Sequence, residues 1–182
     1  MTVEPPASAY DMGHAVQAEN LATFAVLVDN EPGVLHRVVG LFAARGYNIE
    51  SLTVAETDRR AHTSRITIVT RGTTQTLAQI EAQLQKMVST RHVQDVTRDP
   101  NGVERELALV KVRGVGADRV EALRIADIFR AKVIDTTTES FIFEITGASV
   151  KVDKFVDLMR PLGLVEVSRT GVLSIERGVE TL

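Results

Sequence analysis

The chain has 182 residues, with 21 Lys and Arg against 24 Asp and Glu, a formal net charge of −3. That length allows one domain or two small ones, and 44% hydrophobic with 25% charged residues is ordinary for a soluble globular protein. The near balance of charge argues against a nucleic-acid protein acting through a broad basic face, and the absence of Cys excludes disulfides, thiolate metal sites and cysteine nucleophiles.

The acidic surplus lies in the first twenty residues, where Glu4, Asp11 and Glu19 face no Lys or Arg. Residues 1–21 read as a flexible tail with too little apolar surface to offset ordering. They lack the basic start and apolar centre of a secretory signal. No apolar run approaches the roughly 18 residues that span a bilayer, so the expectation is a cytoplasmic protein without a membrane partner.

Thr23 to Val28 is an apolar run of strand length. Asn30-Glu31-Pro32-Gly33 interrupts it, with Pro32 suited to the first turn of a helix. That helix sets Val34, Leu35, Val38, Val39, Leu41 and Phe42 at helical spacing and stops near Gly46. Strands follow over Tyr47 to Glu56 and Ser64 to Thr70. A helix carries Leu77, Ile80, Leu84 and Met87, and a strand spans His92 to Val96. Asp99-Pro100-Asn101-Gly102 is a strong turn signal.

The same order then recurs. Leu107 to Val112 is strand-like, Ala117 to Arg130 helix-like, and Lys132 to Thr138 and Phe141 to Thr146 strand-like. Val152, Phe155, Val156, Met159 and Leu162 mark a helix, and Val165 to Ser168 and Val172 to Ile175 close the unit. Two consecutive β-α-β-β-α-β units predict an α+β protein of two tandem ferredoxin-like sandwiches, each with helices on one face of an antiparallel sheet. The expected units are 22–98 and 106–178, joined by a linker at 99–105. Cores this small gain from burying a sheet edge or face against a partner.

No catalytic constellation is visible. His14, His36, His62 and His92 are scattered, with no carboxylate or second histidine at metal-ligand spacing, so neither a metal site nor catalytic residues are expected. Neither G-x-S-x-G nor a Walker sequence is present. Gly114-Val115-Gly116 begins like a dinucleotide fingerprint, with Asp135 about 20 residues on. Arg119 fills the third glycine position, and a tight strand-to-helix turn in a split β-α-β unit explains the pair better. Phe141 and Phe143 share one side of a strand, but without an RNP-like basic-aromatic run they suit core packing better than RNA stacking.

The informative segment is Asn30 to Leu35. At a helix start, backbone N–H groups near Gly33, Val34 and Leu35 lack intrahelical partners, and the helix dipole favours a carboxylate there. Gly33 admits close approach of a ligand to the backbone. Asn30 offers both a donor and an acceptor, and Asn48 with Ile49 supplies a second carboxamide beside apolar surface. These features suit a small zwitterion with an aliphatic side chain. A capped helix start and a Gly-Tyr-Asn stop use the same residues, so the pattern by itself favours the structural use over the ligand site.

Asn30-Glu31-Pro32-Gly33-Val34-Leu35, Gly40-Leu41-Phe42 and the run Arg45 to Ala55 resemble the small, regulatory subunit of acetohydroxyacid synthase (acetolactate synthase). Ser64-Arg65-Ile66-Thr67, Glu104-Arg105-Glu106-Leu107, Leu109-Val110-Lys111-Val112 and Ser168-Arg169-Thr170-Gly171-Val172 extend the resemblance over Thr23 to Arg177. It implies that the first unit is an ACT domain forming a homodimer, with valine at the dimer interface. Asn30, Gly33, Val34 and Leu35 would come from one chain, Asn48 and Ile49 from the other. The second unit would be an ACT-like domain whose turn Gly114-Val115-Gly116-Ala117 lacks the Asn-x-x-Gly pattern and holds no amino acid. The family's catalytic large subunit carries thiamine diphosphate, magnesium and FAD. This chain is therefore expected to bind no cofactor, to have no activity of its own, and to activate that partner under valine feedback. A free-standing amino-acid sensor with another enzyme partner is the alternative.

Overall fold

Alternation along the first strand sends one set of its side chains into the first core. Phe24, Val26 and Val28 of β1 (Asn20–Asp29) are fully buried on one face. A computed structural model describes residues 18–98 and 102–179. Most of the expected tail, His14 and the Asp99-Pro100-Asn101 part of the turn signal lie outside the described residues.

After β1 come α1 (Val34–Ala43), β2 (Ser51–Asp58), β3 (Thr63–Gly72), α2 (Thr74–Gln85) and β4 (Thr90–Asp95). The order repeats as β5 (Val103–Arg113), α3 (Gly116–Phe129), β6 (Lys132–Thr136), β7 (Ser140–Gly147), α4 (Ser149–Met159) and β8 (Leu164–Arg169), with a short β9 (Leu173–Ile175) added. The sheets run β2-β3-β1-β4 and β6-β7-β5-β8, with β9 on the early part of β5. Every described pairing is antiparallel. The predicted α+β class and doubled ferredoxin-like order are thus the observed ones.

Each sheet buries one face under its helices. Val38 and Phe42 of α1 and Leu77, Ile80 and Leu84 of α2 meet the inward residues of β1 and β3. In the second unit Phe143 packs 6.0 Å from Phe155 and 5.4 Å from Phe141. Phe141 and Phe143 are core residues rather than an RNA-stacking surface. Thr73 caps α2, its side chain accepting from the Thr76 N–H at 3.1 Å. Thr73→Ala is expected to cost about 1 kcal/mol, read as a lower urea midpoint at unchanged slope.

Several element boundaries differ from expectation, three of them with a clear physical cause. Gly33 has φ +83 and Val34 opens α1, so Pro32 sits in the turn before the helix rather than in its first turn. β2 begins at Ser51 rather than Tyr47. Gly46 turns back at φ +68, and the Tyr47 N–H bonds to the Phe42 carbonyl at 3.0 Å. β5 begins at Val103, ahead of Leu107, because Val103–Arg105 pairs with β9.

Candidate functional site

Asn30 to Gly33 make the tight turn from β1 into α1. The Asn30 N–H donates to the His62 carbonyl at 2.7 Å, tying the turn to the β2–β3 hairpin. The Val34 N–H donates to the Glu31 carbonyl at 3.2 Å. Gly33 adopts the left-handed conformation a side chain resists, and no side chain or first-turn acid caps α1. Among the described residues, the N–H groups of Gly33, Leu35 and His36 find no acceptor. Three free donors at the positive end of a helix dipole favour negative charge there.

The space above those donors is open. A Cβ placed on Gly33 would have only the Arg37 Nη1, 4.0 Å away, within contact range. Arg37 itself is held by Ser89 Oγ at 2.6 Å and Glu31 Oε2 at 3.2 Å. Sequence reading passed over this cation, although it stands one helical turn beyond Gly33, the spacing that shares a face. The Asn30 Nδ2 donates to Glu56 Oε1 at 3.4 Å, near the end of β2. Leu35 and Val39 are partly exposed beside α1, as is Val54 on the helix-facing side of edge strand β2. Val34 points into the core and is 6% exposed. Its side chain packs the first domain, so only its backbone faces the turn.

Asn48 and Ile49 lie elsewhere. Ile49 packs against the first core with Tyr47, whose ring meets Phe42 edge-on at 6.0 Å. Asn48 is exposed, its Nδ2 donating to Glu50 Oε1 at 3.3 Å and its carbonyl accepting from Thr70 Oγ1 at 2.6 Å. The ladder sets Ser51 opposite Val69 and Val69 opposite Thr23, near the start of β1. Asn30 lies past the other end of β1. The eight residues of β2, about 26 Å at the usual strand rise, separate the two groups within one chain. Asn30, Gly33, Val34 and Leu35 are brought together; Asn48 and Ile49 are not brought to them.

The glycine pair of the second domain shows no nucleotide cradle. A Cβ on Gly114 would press on the Arg119 backbone at 3.1 Å, and the Arg119 guanidinium lies 3.9 Å above the Phe141 ring. The strands around it are antiparallel, unlike a dinucleotide-binding sheet. The turn is structural.

Known proteins agree with this architecture. Residues 24–92 match the family described as AHAS small subunit-like ACT domain. Residues 105–178 match the one described as small subunit of acetolactate synthase. The acetolactate synthase small subunit of Haemophilus influenzae is 44% identical over 159 residues, covering 87% of this chain and 96% of that protein. The acetolactate synthase isozyme 3 small subunit of Escherichia coli is 45% identical over 155 residues, covering 85% and 94%. The crystal structure of the Thermotoga maritima acetolactate synthase small subunit superposes with a TM-score of 0.78 at 40% identity, covering 88% of this chain and 99% of that one. With this identity running through both domains, the chain belongs to the acetolactate synthase small-subunit family.

Proposed function

We propose that this chain is the regulatory subunit of an acetolactate synthase in branched-chain amino-acid synthesis. It stimulates a catalytic subunit carrying thiamine diphosphate, magnesium and FAD, and imposes feedback by valine bound between two copies of the first domain. The observation that carries the effector reading is the set of unsatisfied N–H groups at Gly33, Leu35 and His36 under open space. They suit the valine carboxylate, with Asn30 at the head group and the Leu35 side chain at the isopropyl group.

The separation of the two residue groups supports a site shared between chains. β2 is an edge strand, and Leu35, Val39 and Val54 leave apolar surface exposed on its flank. Pairing two β2 edges antiparallel about a twofold axis sets the Asn48 end of one chain beside the Asn30 end of the other. Each dimer then holds two equivalent sites.

Valine regulates only if it binds the less active assembly more tightly. Couplings of about 1–3 kcal/mol give changes of roughly 5–150-fold. One methylene in an apolar pocket discriminates about 10–200-fold, so leucine and isoleucine are expected to act weakly. The test is acetolactate formation by the cognate catalytic subunit, with and without this chain, across a valine titration. Stimulation that valine reverses is the expected result. Stimulation indifferent to valine removes the effector, and no stimulation leaves an amino-acid sensor of another enzyme. Asn30→Ala removes a charge-assisted hydrogen bond and is expected to raise the half-inhibitory valine concentration roughly 10-fold or more while stimulation persists.

A further inference from the structure

The central part of the first domain's sheet is buried on both faces. Phe24, Val26, Ile66 and Ile68 face the helices, so Thr23, Ala25, Thr67 and Val69 face away from them. These outward residues are nevertheless 3%, 0%, 3% and 5% exposed. Their cover comes from the far end of the chain. Thr53 Oγ1 of β2 donates to the Val172 carbonyl at 3.1 Å, and the Val172 N–H donates to Ser51 Oγ at 3.3 Å. On the opposite edge, Gln94 Nε2 of β4 donates to Glu176 Oε2 at 3.1 Å. Residues 172–176 therefore cross the sheet from β2 to β4, with Val172 and Ser174 buried against it. β9 within this segment pairs with Val103–Arg105, making a two-stranded ribbon that belongs to the second domain.

The turn entering the ribbon is held firmly and fits closely. Arg169 bonds Glu106 through two nitrogens at 2.7 and 2.6 Å and reaches Asp153 of α4 at 2.7 Å. Thr170 exchanges bonds with Leu107, its N–H donating at 3.0 Å and its Oγ1 accepting at 3.1 Å. Gly171 has φ +82, and a Cβ there would collide with Ser51 Oγ and lie 3.0 Å from Thr53 Cγ2. Only glycine combines that backbone conformation with that approach.

Ser51 stands directly beyond the Asn48–Glu50 segment. Within its own domain this segment is held by Thr70 Oγ1 on the Asn48 carbonyl, the Glu50 N–H on the Val69 carbonyl at 2.8 Å, the Arg71–Glu50 ion pair at 3.7 Å and the packing of Ile49 on the core. Within one chain β2 has a strand on one side only, and the Gly171–Val172 turn holds the start of that strand from the face away from the helices.

We propose that the Gly171–Val172 turn of the second domain positions the effector site of the first, fixing the Asn48–Ile49 half through Ser51 and Thr53, so that valine affinity depends on the second domain. This rests on the reading of Asn48 and Ile49 as valine contacts. Without the grip, the segment must be ordered when valine binds. Ordering about one residue's backbone corresponds to a weakening of roughly 5–30-fold.

The experiment is calorimetric titration of the full-length chain with valine, accompanied by sedimentation and circular dichroism. Wild type, Asn48→Ala, Thr53→Ser, Gly171→Ala and the double variant Ser51→Ala with Thr53→Val are compared. The expected result is a Kd raised roughly 5–30-fold in the double variant, with the dimer and its spectrum unchanged. Gly171→Ala should weaken binding in the same direction, from the other side of the contact. Thr53→Ser keeps the hydroxyl and should bind as the wild type does, which a purely packing role for Thr53 would not give. If Asn48→Ala weakens binding but the double variant and Gly171→Ala do not, the positioning role is overturned and the effector site stands. If wild type binds no valine, or Asn48→Ala binds it normally, the site reading fails and the positioning role fails with it.

Discussion

Gly33→Asp is expected to raise the half-inhibitory valine concentration by roughly 100-fold or more, because two charge-assisted hydrogen bonds are lost at once. The new carboxylate would lie at the start of α1, beside the free N–H groups of Leu35 and His36 and the Arg37 guanidinium 4.0 Å from the position of its Cβ. On the proposed reading it would occupy the place of the valine carboxylate and repel that carboxylate as well. The fold should tolerate the change. A non-glycine residue at φ +83 costs about 1–2 kcal/mol, and an acid at a helix N-terminus returns about 0.3–1 kcal/mol. Stimulation of the catalytic subunit should therefore survive while feedback disappears. The measurement is a valine titration of acetolactate formation beside a thermal melt. Unchanged valine sensitivity in a folded Gly33→Asp variant would remove the Gly33 turn from the site.

Arg169→Ala is expected to be the most destabilising single change in the second domain's polar network. Glu106 is 4% exposed, and its carboxylate is held by the two Arg169 nitrogens. Removing the guanidinium strands a buried charge, at a cost of about 3–5 kcal/mol. For a chain of this size that corresponds to a fall of about 10 °C or more in Tm. Arg169→Lys should fall between, since an ammonium cannot reproduce the fork. Replacing both partners together, Arg169→Met with Glu106→Leu, removes the stranded charge and should recover much of the loss. If Arg169→Ala melts with the wild type, the Glu106 bridge is not structural.

The pH dependence of that bridge has a definite sign. The hydrogen bonds that Arg169 donates to Glu106 push its guanidinium above the ordinary range; burial opposes them, and the bond donated to Asp153 adds to the rise. A cation with a raised folded pKa contributes fully below its unfolded value and loses that contribution only above it. Stability from Arg169 should therefore show no alkaline decline at any pH below the ordinary arginine range, checked by denaturant melts across that range.

Local pattern carried much of this protein. Helical spacing from Val34 to Phe42 and the strand-like runs in both halves were legible because each element displays an apolar face at its own period. The Asn30–Gly33 turn was legible because proline and glycine interrupt that pattern. Tyr47 to Glu50 misled. Its residues favour a strand, but Gly46 at φ +68 and the Thr70 hydroxyl on the Asn48 carbonyl hold it as an extended loop. Arg37 went unread because an arginine on a helix usually faces solvent, and its place beside Gly33 depends on Ser89 on the approach to β4.

The residue pattern by itself determined the element order, the doubled architecture, the assignment of Phe141 and Phe143 to the core and, through the Arg45 to Ala55 run, the family. Only the tertiary structure decided what covers the outer face of the first sheet, and that Asn48 and Ile49 stand a strand's length from Asn30. The apolar run in β1 was read only as a strand, and the cover on its outer face is Val172 to Glu176, from the far end of the chain. Periodicity records which side of an element avoids water, because every residue contributes to it. Contacts such as Ser51 with Val172 and Glu106 with Arg169 rest on one or two polar atoms whose partners exist only after the chain has closed.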